Sequence, residues 1–169
     1  GIECDFVINA TMDQFHYETT MEILGAGCDL LVEKPIVPNE KELLDIKNLA
    51  EKKGVRVFVC HVLRYSPFYT KIKEILNSGV IGKIMTMEMN EHVCRQHYLA
   101  SYDRGKWNSE DGCGSGFLLA KCCHDMDIMC WLNNASAPET VASMGGRCEF
   151  VKENMPKDAS EFCYECKYN

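Results

Sequence analysis

At 169 residues, 46% hydrophobic and 25% charged, the chain has the balance of a globular protein with a sizeable core, and this excludes a disordered one. The formal net charge of −7, from 25 acids and 18 bases with no long basic run, argues against a nucleic-acid or anionic-membrane surface and leaves a small molecule as the expected partner. No apolar stretch approaches the roughly 20 residues of a membrane span, and no basic segment leads into an apolar signal region, so the expected compartment is the cytoplasm.

In chain order, residues 4–10 read as a strand, and 15–27 carry apolar residues at helical spacing with glycines as a stop. Residues 29–32 are strand again, and Asn39 is placed to cap a helix that runs to Lys53 and stops at Gly54. Residues 55–59 give a third strand. Strand, helix, strand, helix, strand with short connections predicts a parallel sheet. After His61 the pattern changes. Pro67 opens a helix to about Asn77, and residues 83–93 alternate, with Met85, Met87 and Met89 on one side, as a strand with one packed face does. Residues 117–132 are helical in period and 140–150 strand-like. The fold class expected is α/β, the later part of a Rossmann domain over residues 1–62, followed over 63–169 by part of an α+β domain with an open, mostly antiparallel sheet.

Eleven cysteines lie scattered through these elements rather than in the short loop-rich frame of a disulfide scaffold, and most read as reduced, buried thiols. The chain opens on Gly1 almost directly into a strand and closes within a Cys-rich turn, so it reads as an internal portion of a longer protein.

The residues able to carry chemistry fall in four places. Thr11 and His16 follow the first strand, where a hydroxyl and backbone amides meet a cofactor, although a threonine there is commonly a cap and a histidine commonly packs. Lys34, in Glu33-Lys34-Pro35, stands at the carboxyl end of the second strand, where open α/β sheets place their ligands, and is a candidate proton donor or oxyanion partner; a surface lysine in a turn is its bland alternative. Arg64 and Tyr65 sit at the junction between the two parts, placed to orient a polyhydroxylated substrate, and Arg64 can equally pair with an acid across the boundary. Lys121 and His124 lie three apart on one face of a helix, and His124 titrates near neutral pH and can exchange a proton with a hydroxyl. Trp107 can stack on a sugar ring or simply pack.

Neighbouring helical positions diverge by about 100°, so the run from Cys122 to Asp127 cannot converge on one ion. Cys163 and Cys166 have the spacing of half a zinc site, but with only one such pair no metal is expected.

Asn9-Ala10-Thr11 with His16, Glu33-Lys34-Pro35, Arg64-Tyr65-Ser66-Pro67, residues 79–84, Gly105-Lys106-Trp107 and His124-Asp125-Met126-Asp127, in that order, resemble the glucose-fructose oxidoreductase, inositol dehydrogenase and rhizopine catabolism (Gfo/Idh/MocA) family over nearly the whole chain. The resemblance implies an NAD- or NADP-dependent oxidoreductase acting on a sugar or polyol, and a homo-oligomer built through the second sheet. It implies Thr11, His16, Glu33, Lys34, Pro35 and Arg64 along the cofactor, Tyr65, Trp107 and Asp127 toward the substrate, and Lys34, His124 and Lys121 at the reacting hydroxyl. No G-x-G-x-x-G precedes a helix here, and Ala120 stands where many members carry an aspartate, with Lys121 able to occupy similar space. A hydrolase of the same fold and a non-catalytic sensor or assembly subunit are the alternatives.

Overall fold

The structure is a computed structural model that describes residues 4–168, apart from the side chains of Glu110 and Cys163. β1 (Phe6–Asn9), β2 (Asp29–Val32) and β3 (Val57–Val59) form a parallel sheet in that order, with Phe6 opposite Asp29 and Leu30 opposite Val57. Parallel neighbours need long crossovers, supplied by α1 (His16–Gly25) and α2 (Glu40–Lys53). Asn39 accepts a hydrogen bond from the Glu42 amide at 3.0 Å and Gly54 ends α2 with φ 67°, so the expected cap and stop both operate.

Both crossover helices pack on one face. Leu30 and Val32 of β2 are fully buried there against Leu24 of α1 and Ile46 and Ala50 of α2. Because side chains alternate along a strand, the next residues point the other way, and Phe6, Ile8 and Phe58 stay exposed, Phe6 and Phe58 meeting at 6.5 Å. This face and the β3 edge bound a groove of about 640 Å³ that reaches Tyr65.

After β3, α3 (Pro67–Ser78) starts on proline and ends on Gly79. Short helices α4 (Arg95–Tyr98) and α5 (Glu110–Cys113) flank a π turn at Leu99–Asp103, and the long α6 (Gly116–Leu132) packs on α3 and on the turn after β3. The chain divides into two compact units, one ending at Ser136 and the other from Ala137 onward. The position 62/63 lies within the first of these units, where α6 packs on α3 and on the turn at Val62–Tyr65. The second unit holds two 3-10 turns, Lys152–Asn154 and Cys163–Glu165; Asn154 donates to the carbonyls of Cys148 and Glu149, and Lys167 pairs with Asp158.

Two expectations are corrected. Residues 83–93 and 140–150 form no strand among the described residues, so the mostly antiparallel sheet expected there is not seen. An alternating pattern makes a strand only where a neighbour takes up its backbone hydrogen bonds, and Met85 stands 88% exposed with no such neighbour. The ten cysteines described are free thiols, but only Cys113 is fully buried, while Cys4, Cys94, Cys130 and Cys148 are exposed. No helix among the described residues is long and apolar enough to cross a membrane.

Candidate active site

The carboxyl ends of the three strands open toward α6. β1 ends in Asn9, 3% exposed, whose amide is fully used: Nδ2 donates to Thr19 Oγ1 at 2.7 Å and Thr20 Oγ1 at 3.2 Å, and Oδ1 accepts from the Thr11 amide at 3.3 Å and hydroxyl at 2.8 Å. Thr11 is thereby held in an exposed turn. β2 ends in Glu33, whose carboxylate accepts from the Lys34 amide at 3.2 Å. Next comes Lys34, whose Nζ donates to the Ala120 carbonyl of α6 at 2.8 Å. β3 ends in Cys60 and His61. Burial and a hydrogen bond to Glu33 push the Cys60 thiol up.

α6 brings the remaining groups. His124 lies one turn beyond Ala120, on the same side of the helix, and its Nδ1 is buried without a partner. His61 meets it edge-on at 6.2 Å with its own Nδ1 also buried and unpartnered. Burial first, then the Lys34 ammonium, hold His124 below the ordinary histidine value; its neighbour His61 adds to this, and Asp125 and Asp127 oppose it. Burial likewise lowers His61, helped by Arg64 and Lys34 and opposed by Asp127. Both rings are therefore neutral bases at neutral pH. Lys121 is lowered by burial and then by Lys34; its Nζ lies 2.6 Å from His97 Nε2 and over the Tyr102 ring. Lys34, Lys121 and His124 thus share one electrostatic environment.

Residues 95–117 form an aromatic wall beside this group. Tyr98, Tyr102 and Phe117 stack or meet edge-on, and burial pushes the Tyr102 hydroxyl up to about 12. The wall leans on the turn after β1: Ser115 donates to Asp13 at 2.6 Å, and Gly114 lies so close that a Cβ would sit 3.2 Å from the Gln14 amide.

Several expected ligands have other work. His16 is fully buried with both ring nitrogens on backbone carbonyls, those of Pro35 at 2.9 Å and Thr11 at 3.1 Å, so it clasps two strand ends. Pro35 is buried in the same clasp. Arg64 and Asp127 form a two-pronged pair, Nε to Oδ2 at 2.8 Å and an Nη to Oδ1 at 2.5 Å, the acid across the boundary that the sequence allowed for Arg64. Tyr65 is 84% exposed in the groove on the other sheet face and is not brought to Lys34. Trp107 stacks on Tyr102 at 5.6 Å with the Lys106 ammonium over its ring, so its faces are occupied. The side chain of Cys163 lies outside the described residues, and the Cys166 thiol is free.

Sequence reasoning gave no site role to Asn9 or His61, although both lie in stretches it singled out, and passed over His97 and Tyr102. For His61 a signal existed, since it stands two residues past the end of β3 as Lys34 stands two past the end of β2. For His97 and Tyr102 there was none, because only the turn at residues 99–107 carries them to α6.

Residues 2–61 match the oxidoreductase family with an NAD-binding Rossmann fold, and residues 69–160 match the GFO/IDH/MocA C-terminal domain. The chain is 27% identical to the oxidoreductase YteT of Bacillus subtilis over 96% of its length and 38% of that protein's, and 29% identical to an inositol 2-dehydrogenase/D-chiro-inositol 3-dehydrogenase of Lactiplantibacillus plantarum over 77% and 34%. It shares the fold of the crystal structure of myo-inositol 2-dehydrogenase from Lactobacillus plantarum, with TM-score 0.64 at 19% identity over 79% of this chain and 38% of that one. The chain spans about a third of the length of the curated relatives it matches. With a parallel sheet whose strand ends carry Thr11 and Lys34, and a matched second segment that supplies His124, the chain belongs to the GFO/IDH/MocA family of oxidoreductases.

Proposed function

We propose that the protein carrying this chain transfers a hydride reversibly between a nicotinamide cofactor, NAD or NADP, and the carbon of a secondary hydroxyl on a sugar or cyclitol. The observation that carries the proposal is the meeting of Lys34, at the end of β2, with the turn of α6 that bears His124. The inositol dehydrogenase among the relatives is the ground for naming a cyclitol.

The residues present fit such a cofactor. Thr11 is exposed, Glu33 and Lys34 are half-buried at adjacent strand ends, and the buried Nδ1 of His124 lacks a partner. Thr11, Glu33 and Lys34 would hold the nicotinamide end, and when bound the nicotinamide supplies the hydride acceptor. His124, kept neutral by burial, accepts the proton of the hydroxyl. The Lys34 ammonium has three donors and spends one on Ala120, so two remain to hydrogen-bond the same oxygen and stabilise its developing charge. Lys121, held on His97, lines the same space beside Ala120.

The test is turnover and cofactor binding in the protein carrying this chain, with Lys34→Met and His124→Asn. Both variants are expected to lose turnover on a polyol panel, with NAD or NADP binding unchanged in His124→Asn and at most weakened in Lys34→Met, whose remaining partners Thr11 and Glu33 still hold the nicotinamide end. Retained turnover in Lys34→Met overturns the assignment.

A further inference from the structure

At the opposite end of the sheet, away from Lys34, Cys4 and Cys28 stand side by side just before β1 and β2. Their sulfurs are 4.0 Å apart, and the Cys28 thiol donates to the Cys4 carbonyl at 3.0 Å. The backbone next to them is already locked, because the Asp29 amide donates to the Asp5 carbonyl at 2.9 Å and continues the β1–β2 ladder. A disulfide needs its sulfurs at about 2.0 Å, so closure brings the two sulfurs about 2 Å nearer to each other. Cys4 is exposed and open to a reagent, while Cys28 is half-buried. The other close cysteines, Cys122 and Cys123, are successive residues of α6 and point apart.

We propose that Cys4 and Cys28 are a modification site that takes a low-molecular-weight disulfide and closes to a protein disulfide across the amino ends of β1 and β2. In the first exchange the exposed Cys4 thiolate attacks one sulfur of the reagent, forming a mixed disulfide and releasing one thiolate. Cys28 then loses its proton and attacks the Cys4 sulfur, displacing the second thiolate. The protein gives up two protons and two electrons, and the reagent is reduced to two thiols. Burial, the contact with Cys4 and the carboxylates Asp5 and Asp29 push the Cys28 thiol up, which makes Cys4 the first to react and Cys28 the resolving group. The bond would tie β1 to β2 around α1 and leave the carboxyl ends of the strands free.

The test treats the folded chain with oxidised and reduced glutathione mixtures, traps remaining thiols with N-ethylmaleimide and cleaves after glutamate, which puts Cys4 in residues 4–18 and Cys28 in residues 23–33. The expected result is one linked pair of these peptides, with loss of both alkylated thiols, at ratios where the exposed Cys94 and Cys148 carry only glutathione or the trap. Cys28→Ser should leave Cys4 as a glutathione mixed disulfide, and unfolding in urea before oxidation should abolish the preference for this pair. Recovery of Cys4 and Cys28 as separate alkylated or glutathionylated peptides overturns the proposal, as does equal linkage of Cys4 to other cysteines or equal yield in urea.

Discussion

Lys34 and Ala120 are 86 residues apart in sequence and joined by one hydrogen bond, from the Lys34 ammonium to the Ala120 carbonyl at 2.8 Å. This contact fixes the end of β2 against α6 and sets a positive charge beside His124 and Lys121. Lys34 lowers both groups, second only to burial. Replacing it with methionine should therefore move the His124 titration upward, though still below the ordinary value, because burial is the larger cause. Imidazole resonances followed against pH check this, and Lys34→Arg, which keeps the charge, should show little change. An unmoved His124 in Lys34→Met would place the ammonium elsewhere.

The same burial makes stability depend on pH. His61 and His124 both sit below the ordinary histidine value of about 6.5, so between that value and their folded ones the unfolded chain binds more protons than the folded chain. Stability is then full above about pH 6.5 and falls as pH drops through the window beneath it. Urea midpoints from pH 8 to 5 should show the decline, and the double variant His61→Gln, His124→Gln should flatten it. A parent profile that is level there would contradict the burial of these rings.

Asn9 makes four hydrogen bonds from a buried position, and its loss is expected to be felt at once. Asn9→Ala frees the turn at Thr11 and leaves the buried Thr20 hydroxyl without its donor, at a cost of about 1–3 kcal/mol for an unsatisfied buried group. The denaturation midpoint should fall with the slope unchanged. Asn9→Asp should also destabilise, since a carboxylate cannot donate to Thr19 and Thr20.

Much of the first half was legible because its determinants are local. Asn39 and Gly54 mark the ends of α2, and the apolar runs at Leu30 and Val57 mark strands wherever they are buried. The site was legible in part for the same reason: Lys34 follows such a run, and His124 lies on a helix that its own periodicity declares. What stayed hidden depended on pairing between distant residues. Nothing near Arg64 says that Asp127 will occupy it, and nothing in Met85, Met87 and Met89 says whether a neighbouring strand exists to complete their ladder.

Gly105 is required by close approach. A Cβ there would lie 2.3 Å from the Ala100 carbonyl and 2.8 Å from that of Ser101, both backbone, so no side chain can move aside. Gly105→Ala should open the turn at residues 99–107, with a loss of roughly 1–3 kcal/mol as in other overpacked sites. Trp107 should shift its fluorescence to longer wavelength, while Trp131 on α6 serves as the internal control.

The Arg64–Asp127 pair is asymmetric, with the Arg64 side chain 41% exposed and that of Asp127 only 8%. Removing the arginine strands a buried carboxylate beside His61, 3.7 Å away, whereas removing the carboxylate leaves an arginine that water can reach. Arg64→Met should therefore destabilise more than Asp127→Asn. Because one partner is open to solvent, the expected loss is about 1–3 kcal/mol rather than the about 3–5 kcal/mol of a fully buried pair. The double variant Arg64→Met, Asp127→Asn should recover most of it, since neither charge is then left alone. A double-mutant cycle on urea midpoints measures the coupling, and strict additivity of the two single losses would show that the pair does not hold α6 to the end of β3.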